Sequence, residues 1–333
     1  MKQKLSSTLF KAVLLSVLFC FPVAGSSAPV KKLLDRPIVL AHVSASCEDY
    51  FFAAEKLGLF EKNGLEVELL RANFNSIKEG IASGKVDVTD GLLQKWLKPI
   101  EQGLDIKFTL GVHQGCSSAV VKTDSPYKSV KDLKGKTIGV AGTIGDAAMN
   151  YMYRVIIAEG LDPVKDFEWV AFDAGALIAA LETGKADVVV GGDANTYAKI
   201  KTGEFSYIAR MATDEYFKDE VCCLLAFSPS FIKEHRDIAL VITKIMHEAA
   251  LYNGAHKEEM VRYAHEKGYI NGTLEDNIEI VKPFTYNPGV KIALHAFEKS
   301  FRDYQASGII DKDVELKTVL DRAFVIFDDP DIQ

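Results

Sequence analysis

An α/β fold in two lobes is predicted by three features of the chain. From Arg36 to about Phe227, short apolar runs alternate with helical stretches, and that alternation builds mainly parallel sheets flanked by helices. The 333 residues exceed the size at which a single core stops growing, so two lobes are expected rather than one. A unit of helix, Gly, Lys, small apolar residue, Asp and buried strand occurs twice, as IASGKVDVTDG (81–91) and LETGKADVVVGG (181–192), which fits two lobes built alike. In these units Gly84 and Gly184 would close their helices in the left-handed conformation that costs other residues more.

Strands are expected at IVLAHV (38–43), LEVELL (65–70), VDV (86–88), IKFTLGV (106–112), AVVK (119–122), TIGVA (137–141), FEWVAF (167–172) and ADVVVG (186–191). Several are continuously apolar, as strands covered on both faces are. Phe51, Ala54 and Leu57 recur at helical spacing behind the acidic start Glu48–Asp49, which suits a helix N-terminus. Beyond Phe227 strand signals nearly vanish. Ser228 reads as an N-cap with Pro229 at the first helical position, and a helical C-terminal third follows. It closes on FVIFDDPDIQ, a short apolar run with an acidic tail expected to be mobile.

Composition excludes several classes. With 48% hydrophobic and 26% charged residues the chain is globular, not disordered or fibrous. A net charge of −7 without a long basic run argues against a nucleic-acid partner, because phosphate binding needs clustered Lys and Arg. The first residues carry Lys2, Lys4 and Lys11, then an apolar stretch from Ala12 to Phe21, then small residues at 24–28. This is the pattern of a secretory signal peptide (1–28), cleaved near residues 24–28, and too short for a membrane span. Its removal takes three Lys and no acid, leaving −10, and takes Cys20, leaving Cys47, Cys116, Cys222 and Cys223. In an oxidising compartment these four could pair.

Four segments in order carry a family resemblance: YFFAAEKLGLFEKNGLEVEL (50–69), ASGKVDVTDG (82–91), SVKDLKGKTIGVAGTIG (129–145) and ALIAALETGKADVVVGGD (176–193). Over about residues 37–237 the chain resembles the solute-binding proteins of bacterial ABC importers, in the branch with sulfonate-, taurine- and nitrate-binding proteins and binders of thiamine-pyrimidine precursors. The resemblance implies a periplasmic, monomeric protein of the two-lobed type II binding-protein fold, without a cofactor, that hands a small ligand to an inner-membrane ABC permease. It places two interlobe crossings near Gly115–Val120 and Val221–Leu225. Lobe 1 then comprises 29–117 and 224–333, and lobe 2 comprises 118–223. The same branch resembles thiamine-pyrimidine-synthesis enzymes, but their CCCFC segment is here CCLLAF (222–227). No nucleophile elbow, paired helical His or phosphate-loop Lys is present either. The expected protein is a binder and not an enzyme.

In such folds ligands sit beyond the carboxyl ends of strands, at helix starts. The first loop, HVSASCED (42–49), offers Ser44, Ser46, Cys47 and Asp49; helix capping competes for Ser46. The second, TDGLLQKW (89–96), offers Asp90, Gln94 and Trp96, with Trp96 equally suited to the core. The third, AGTIGDA (141–147), offers Thr143 and Asp146, where a capping carboxylate at the helix start would compete with a bound anion. FDAGA (172–176) adds Asp173, and GGDANTY (191–197) adds Asp193 and Asn195. These loops hold Glu48, Asp49, Asp90, Asp146, Asp173 and Asp193 but only one base, Lys95. That balance favours a neutral or cationic ligand such as an amine-bearing heterocycle over nitrate or a sulfonate. His113, Cys116 and Cys222–Cys223 fall at the two crossings. Three readings stay open for them: a soft-metal or metal-chelate site, a disulfide with Cys116, or free buried thiols. In a strand, Cys222 and Cys223 would point to opposite faces.

Overall fold

The computed structural model describes residues 31–333, so the expected signal peptide, with Cys20, lies outside the described residues. Eleven strands follow in order: β1 (Ile38–His42), β2 (Val67–Arg71), β3 (Val88–Leu92), β4 (Lys107–Gln114), β5 (Ser117–Lys122), β6 (Thr137–Ala141), β7 (Glu168–Phe172), β8 (Val188–Gly192), β9 (Phe205–Arg210), β10 (Cys223–Phe227) and β11 (Thr285–Gly289). They form a six-stranded sheet in the order β11-β4-β10-β3-β1-β2 and a five-stranded sheet in the order β7-β6-β8-β5-β9. Helices pack on both. No helix among the described residues is long and apolar enough to cross a membrane.

All eight strands expected from apolar runs are present, with ends shifted by up to four residues. Three more were not foreseen. β9 (FSYIAR) alternates too weakly to stand out. β10 lies where the CCLLAF run suggested a crossing but no strand of its own. β11 reads TYNPG, whose Pro and Gly argue against a strand interior; it survives because it pairs only along the sheet edge, against β4. The sheets are also more mixed than expected. Pairs β1·β2, β1·β3, β6·β7 and β6·β8 are parallel, whereas β10·β3, β10·β4, β5·β8 and β5·β9 are antiparallel. The antiparallel members are the strands by which the chain enters or leaves a sheet.

The first sheet carries a core on each face. Phe51, Phe52, Ile245 and Met246 belong to one, with the helix Arg236–Ala255 lying across it. Trp96, Phe108, Phe297 and Phe301 belong to the other, under the helix Val290–Ala306. The second sheet buries Met152 and Ile156 of the helix Ala147–Ala158 on one side and Leu177, Leu181 and Phe205 on the other. Helix ends follow the sequence signals. Gly84 closes the helix Phe74–Ser83 at φ 72°, and Ser228 accepts from the Phe231 amide at 3.2 Å ahead of Pro229. The acidic tail is tied down, against expectation: the Val325 amide donates to Phe108 at 2.9 Å, Lys244 pairs with Asp331 at 2.7 Å, and Ile332 is fully buried.

The chain passes from the first sheet to the second through Gly115–Cys116, and returns through residues 211–222. These connections are joined side by side. Cys222 donates its amide to the His113 carbonyl at 2.8 Å, and Gln114 Nε2 donates to the Met211 carbonyl at 2.9 Å and the Phe217 carbonyl at 2.5 Å. Gly115 is required here: its φ is +135°, and a Cβ would stand 2.4 Å from the Phe284 ring.

Behind the connections, Arg154 from the second sheet's helix is 1% exposed. It donates to Glu220 at 2.8 and 2.9 Å and to Asp303 of the helix Val290–Ala306 at 2.6 Å. Lys299 adds a second cation to Glu220 at 2.6 Å. Truncating one partner of a buried pair strands the others' charge and costs about 3–5 kcal/mol. Arg154→Ala is therefore expected to lower unfolding free energy by about that amount in urea titration, whereas Arg302→Ala, in an exposed pair with Glu298, should cost well under about 1 kcal/mol.

Candidate functional site

Three adjoining cavities of about 180, 270 and 240 Å³ lie between the two sheets and share Cys116 and Gly192 in their walls. One wall is the loop after β1. Ser44 sits there in the left-handed region at φ 67°, and the loop is held by Glu48, whose carboxylate accepts the Val43 amide at 2.9 Å and the Ala45 amide at 3.0 Å. That turn presents Cys47 to the cavities. From β3, Asp90 lines the smallest cavity beside Glu48 and accepts from the Tyr50 hydroxyl at 3.0 Å.

Both carboxyls are buried, and both are shifted. Burial lifts Asp90 to about 7, aided by the Cys47 thiolate and opposed by His113 and the Tyr50 hydroxyl. Burial also pushes Glu48 well above the ordinary carboxylate range, with Asp90 and Cys47 adding to it against the Val43 and Ala45 amides. Like charges at one site hold a proton between them. Asp49 is 1% exposed with Oδ1 unpartnered, and burial raises it strongly.

The floor is sulfur and imidazole. Cys116 Sγ lies 3.4 Å from Cys222 Sγ and 3.6 Å from Cys223 Sγ, and Cys222 and Cys223 sulfurs are 3.8 Å apart. His113 approaches Cys116 with Nε2 at 3.8 Å and Cys222 with Nδ1 at 4.0 Å. The imidazole is fixed between rings, 6.0 Å from Phe284 and 5.2 Å from Tyr286. Cys222 and Cys223 are not split between faces, because Cys222 precedes β10 and both sulfurs turn to Cys116. All four cysteines among the described residues are free thiols, since bonded sulfurs lie about 2.05 Å apart. Burial opposes ionisation of Cys222, but the thiols of Cys116 and Cys223 and the His113 imidazolium outweigh it and lower it well below a free thiol. His113 is raised in turn: burial disfavours its charge, and the Cys222 thiolate more than restores it.

Known proteins bear on this arrangement. Residues 49–260, well over half of the chain, match the family model described as NMT1/THI5 like. The chain belongs to the NMT1/THI5-like family. A Haemophilus influenzae protein named for thiamine biosynthesis is 32% identical over 142 residues, 41% of this chain and 43% of that protein, so the chain spans less than half of that relative's length. Among solved structures, the periplasmic sulfonate-binding protein SsuA of a sulfonate ABC transporter from Methylobacillus flagellatus superposes with TM-score 0.68 at 21% identity, over 87% of this chain and 92% of that one. The periplasmic nitrate-binding protein NrtA from Synechocystis superposes with TM-score 0.69 at 14% identity, over 86% of each. At these identities the fold is what is shared: the periplasmic-binding-protein fold.

On this NMT1/THI5-like scaffold the sequence-derived residues separate. Ser44, Ser46, Cys47, Asp90, Cys116, Asp146, Asp193 and Asn195 line the cavities, and His113 and Cys222 stand behind Cys116. Trp96 does not reach them: it is fully buried in the first sheet's core, its ring centroid 4.7 Å from that of Phe74 in an edge-on contact. Gln94 is buried beneath, its carbonyl accepting from Asn150 at 2.9 Å. Asp146 accepts from the Ala147 amide at 2.7 Å, capping its helix as expected. Thr143 and Asp173 are exposed and line none of the three cavities. Asn195 Oδ1 accepts the Gly192 amide at 2.9 Å. Asp193 is already neutralised, since Arg210 Nε donates to it at 2.8 Å; Arg210 ends β9, a strand the apolar pattern did not reveal. Phe74 was also missed, whereas Cys223, named at the second crossing, lines the smallest of the three cavities. Lys95 lines two cavities and lies 4.5 Å over the Phe74 ring.

Because the Asp90 carboxyl is raised in the folded chain, folding takes up a proton that the unfolded chain does not hold near neutrality. That contribution is fully present below about pH 4, where the unfolded carboxyl is protonated as well, and is lost as pH rises from there through about pH 7. Between about pH 6 and about pH 8 the native chain is expected to lose about 1 kcal/mol of stability through this group. Asp90→Asn should flatten that slope in urea midpoints.

Proposed function

We propose that the protein is the extracytoplasmic solute-binding component of an ABC importer, capturing a small neutral or cationic nutrient between its two lobes without altering it. The lobes of this reading are residues 29–117 with 224–333, and 118–223; the separation of β1–β4 with β10 and β11 from β5–β9 supports a division of that kind. The observation that carries the ligand class is the buried Asp90–Glu48 carboxyl pair on the cavity wall, two acids against the single cation Lys95. Among the described residues, Lys95 is the only basic side chain lining these three cavities. An exocyclic amine or ring N–H would donate to Asp90, while a flat ring would lie against Phe74 beside Lys95. An amine-bearing heterocycle such as a thiamine-pyrimidine precursor meets both demands, and the name of the Haemophilus influenzae relative agrees with it.

Nitrate or a sulfonate fits less well. Arg210 is spent on Asp193, and Asp146 occupies the helix start that would hold an anion. Capture works because a ligand that contacts both lobes binds the closed form better and shifts the population towards it, a shape that a permease can read. The export pattern and the fold support a periplasmic location, and the handover makes a permease the partner.

The test is calorimetric titration with an aminopyrimidine, taurine and nitrate, with X-ray scattering on the same samples. Binding and compaction are expected with the aminopyrimidine, with affinity falling at least about tenfold in Asp90→Asn, as loss of one charge-assisted hydrogen bond predicts. Tight taurine or nitrate binding without an amine response overturns the ligand class. Profiles that superimpose with every solute overturn solute capture itself.

A further inference from the structure

We infer that His113, Cys116, Cys222 and Cys223 form a tetrahedral binding site for a thiophilic divalent cation, with zinc as the ion that fits. Their donor atoms all lie within 4.8 Å of one another, and with His113 Nδ1 as the nitrogen vertex five of the edges run from 3.4 to 4.0 Å. A tetrahedral zinc ion with bonds near 2.3 Å to sulfur separates its ligands by about 3.8 Å. The four atoms therefore already enclose a space of the right size, and modest side-chain rotation would make the edges equal. Three sulfurs and one imidazole nitrogen form a known zinc ligand set, and thiolates select against magnesium, calcium and manganese.

Competing explanations use less of the arrangement. A disulfide from Cys116 to either neighbour would consume two sulfurs and leave the third, with the imidazole, unaccounted for. Thiol packing as small apolar groups does not call for a fully buried imidazole aimed at the sulfurs. The site's position is also specific. His113 and Cys116 come from the outgoing connection between the sheets, and Cys222 and Cys223 from the return. One ion would bind both connections together at the point about which the lobes turn. Cys116 is partly exposed and lines the cavities with Cys47, so the ion would sit beneath the solute. The ion and the solute are separate occupants, and the metal site stands whether or not the solute is an amine.

The experiment uses the mature chain, reduced and metal-free, titrated with zinc or cobalt(II). Metal content, cobalt–thiolate absorption and alkylation mass shifts are read together. Expected are one zinc per chain, a tetrahedral cobalt–thiolate spectrum, and protection of three of the four thiols with Cys47 still reactive. Cys116→Ser and His113→Gln should each weaken zinc by at least about tenfold at unchanged circular dichroism. Aminopyrimidine titration of Cys116→Ser reads the solute reading separately. Four reactive thiols in the folded, zinc-treated chain would overturn the site. So would a two-hydrogen mass loss from a disulfide in the protein as purified from its own compartment.

Discussion

The side-by-side pairing of the two inter-sheet connections is the constraint from which the rest of the molecule follows. The outgoing strand β4 and the returning strand β10 are neighbours in one sheet, in antiparallel register with Cys223 opposite His113. Peptide groups this deeply buried must be hydrogen-bonded, and the shared ladder satisfies them. It also places whatever side chains leave the ends of these strands on a common floor between the sheets.

Around that floor, charge is arranged by burial as much as by pairing. Arg210 neutralises Asp193, Arg154 gathers Glu220 and Asp303, and the Glu48 carboxylate closes its own loop. What these pairs leave over is Asp49, buried with Oδ1 unpartnered, and the Asp90 carboxyl, which lines a cavity with the Tyr50 hydroxyl as its side-chain donor. A buried acid with spare acceptor capacity is a receptor for a donor. The acid-rich loops of the sequence therefore overstated the negative charge available to a ligand.

The Arg154 cluster deserves comparison with the cysteine floor, since both join elements of the two sheets. The cluster is closed and its hydrogen bonds are used internally, so it sets how the helices Ala147–Ala158 and Val290–Ala306 meet. The floor is open to the cavities through Cys116 and carries groups whose donor capacity is unspent. One is a fixed joint, and the other is a place where something can bind.

The sequence by itself determined the alternation of strand and helix and the helix caps at Gly84 and Ser228, because these depend on periodicity and on neighbours a few residues away. It also placed His113, Cys116 and Cys222 near the crossings once the family resemblance was taken into account. Only the tertiary structure decided that Trp96 turns into a core, that Asp193 is matched by Arg210 from a weakly patterned strand, and that TYNPG pairs as an edge. It alone showed Cys222 and Cys223 converging on Cys116 instead of diverging. The physical reason is common to all four: each depends on a partner tens to hundreds of residues away, and side-chain direction at a strand end is set by that partner and not by local alternation.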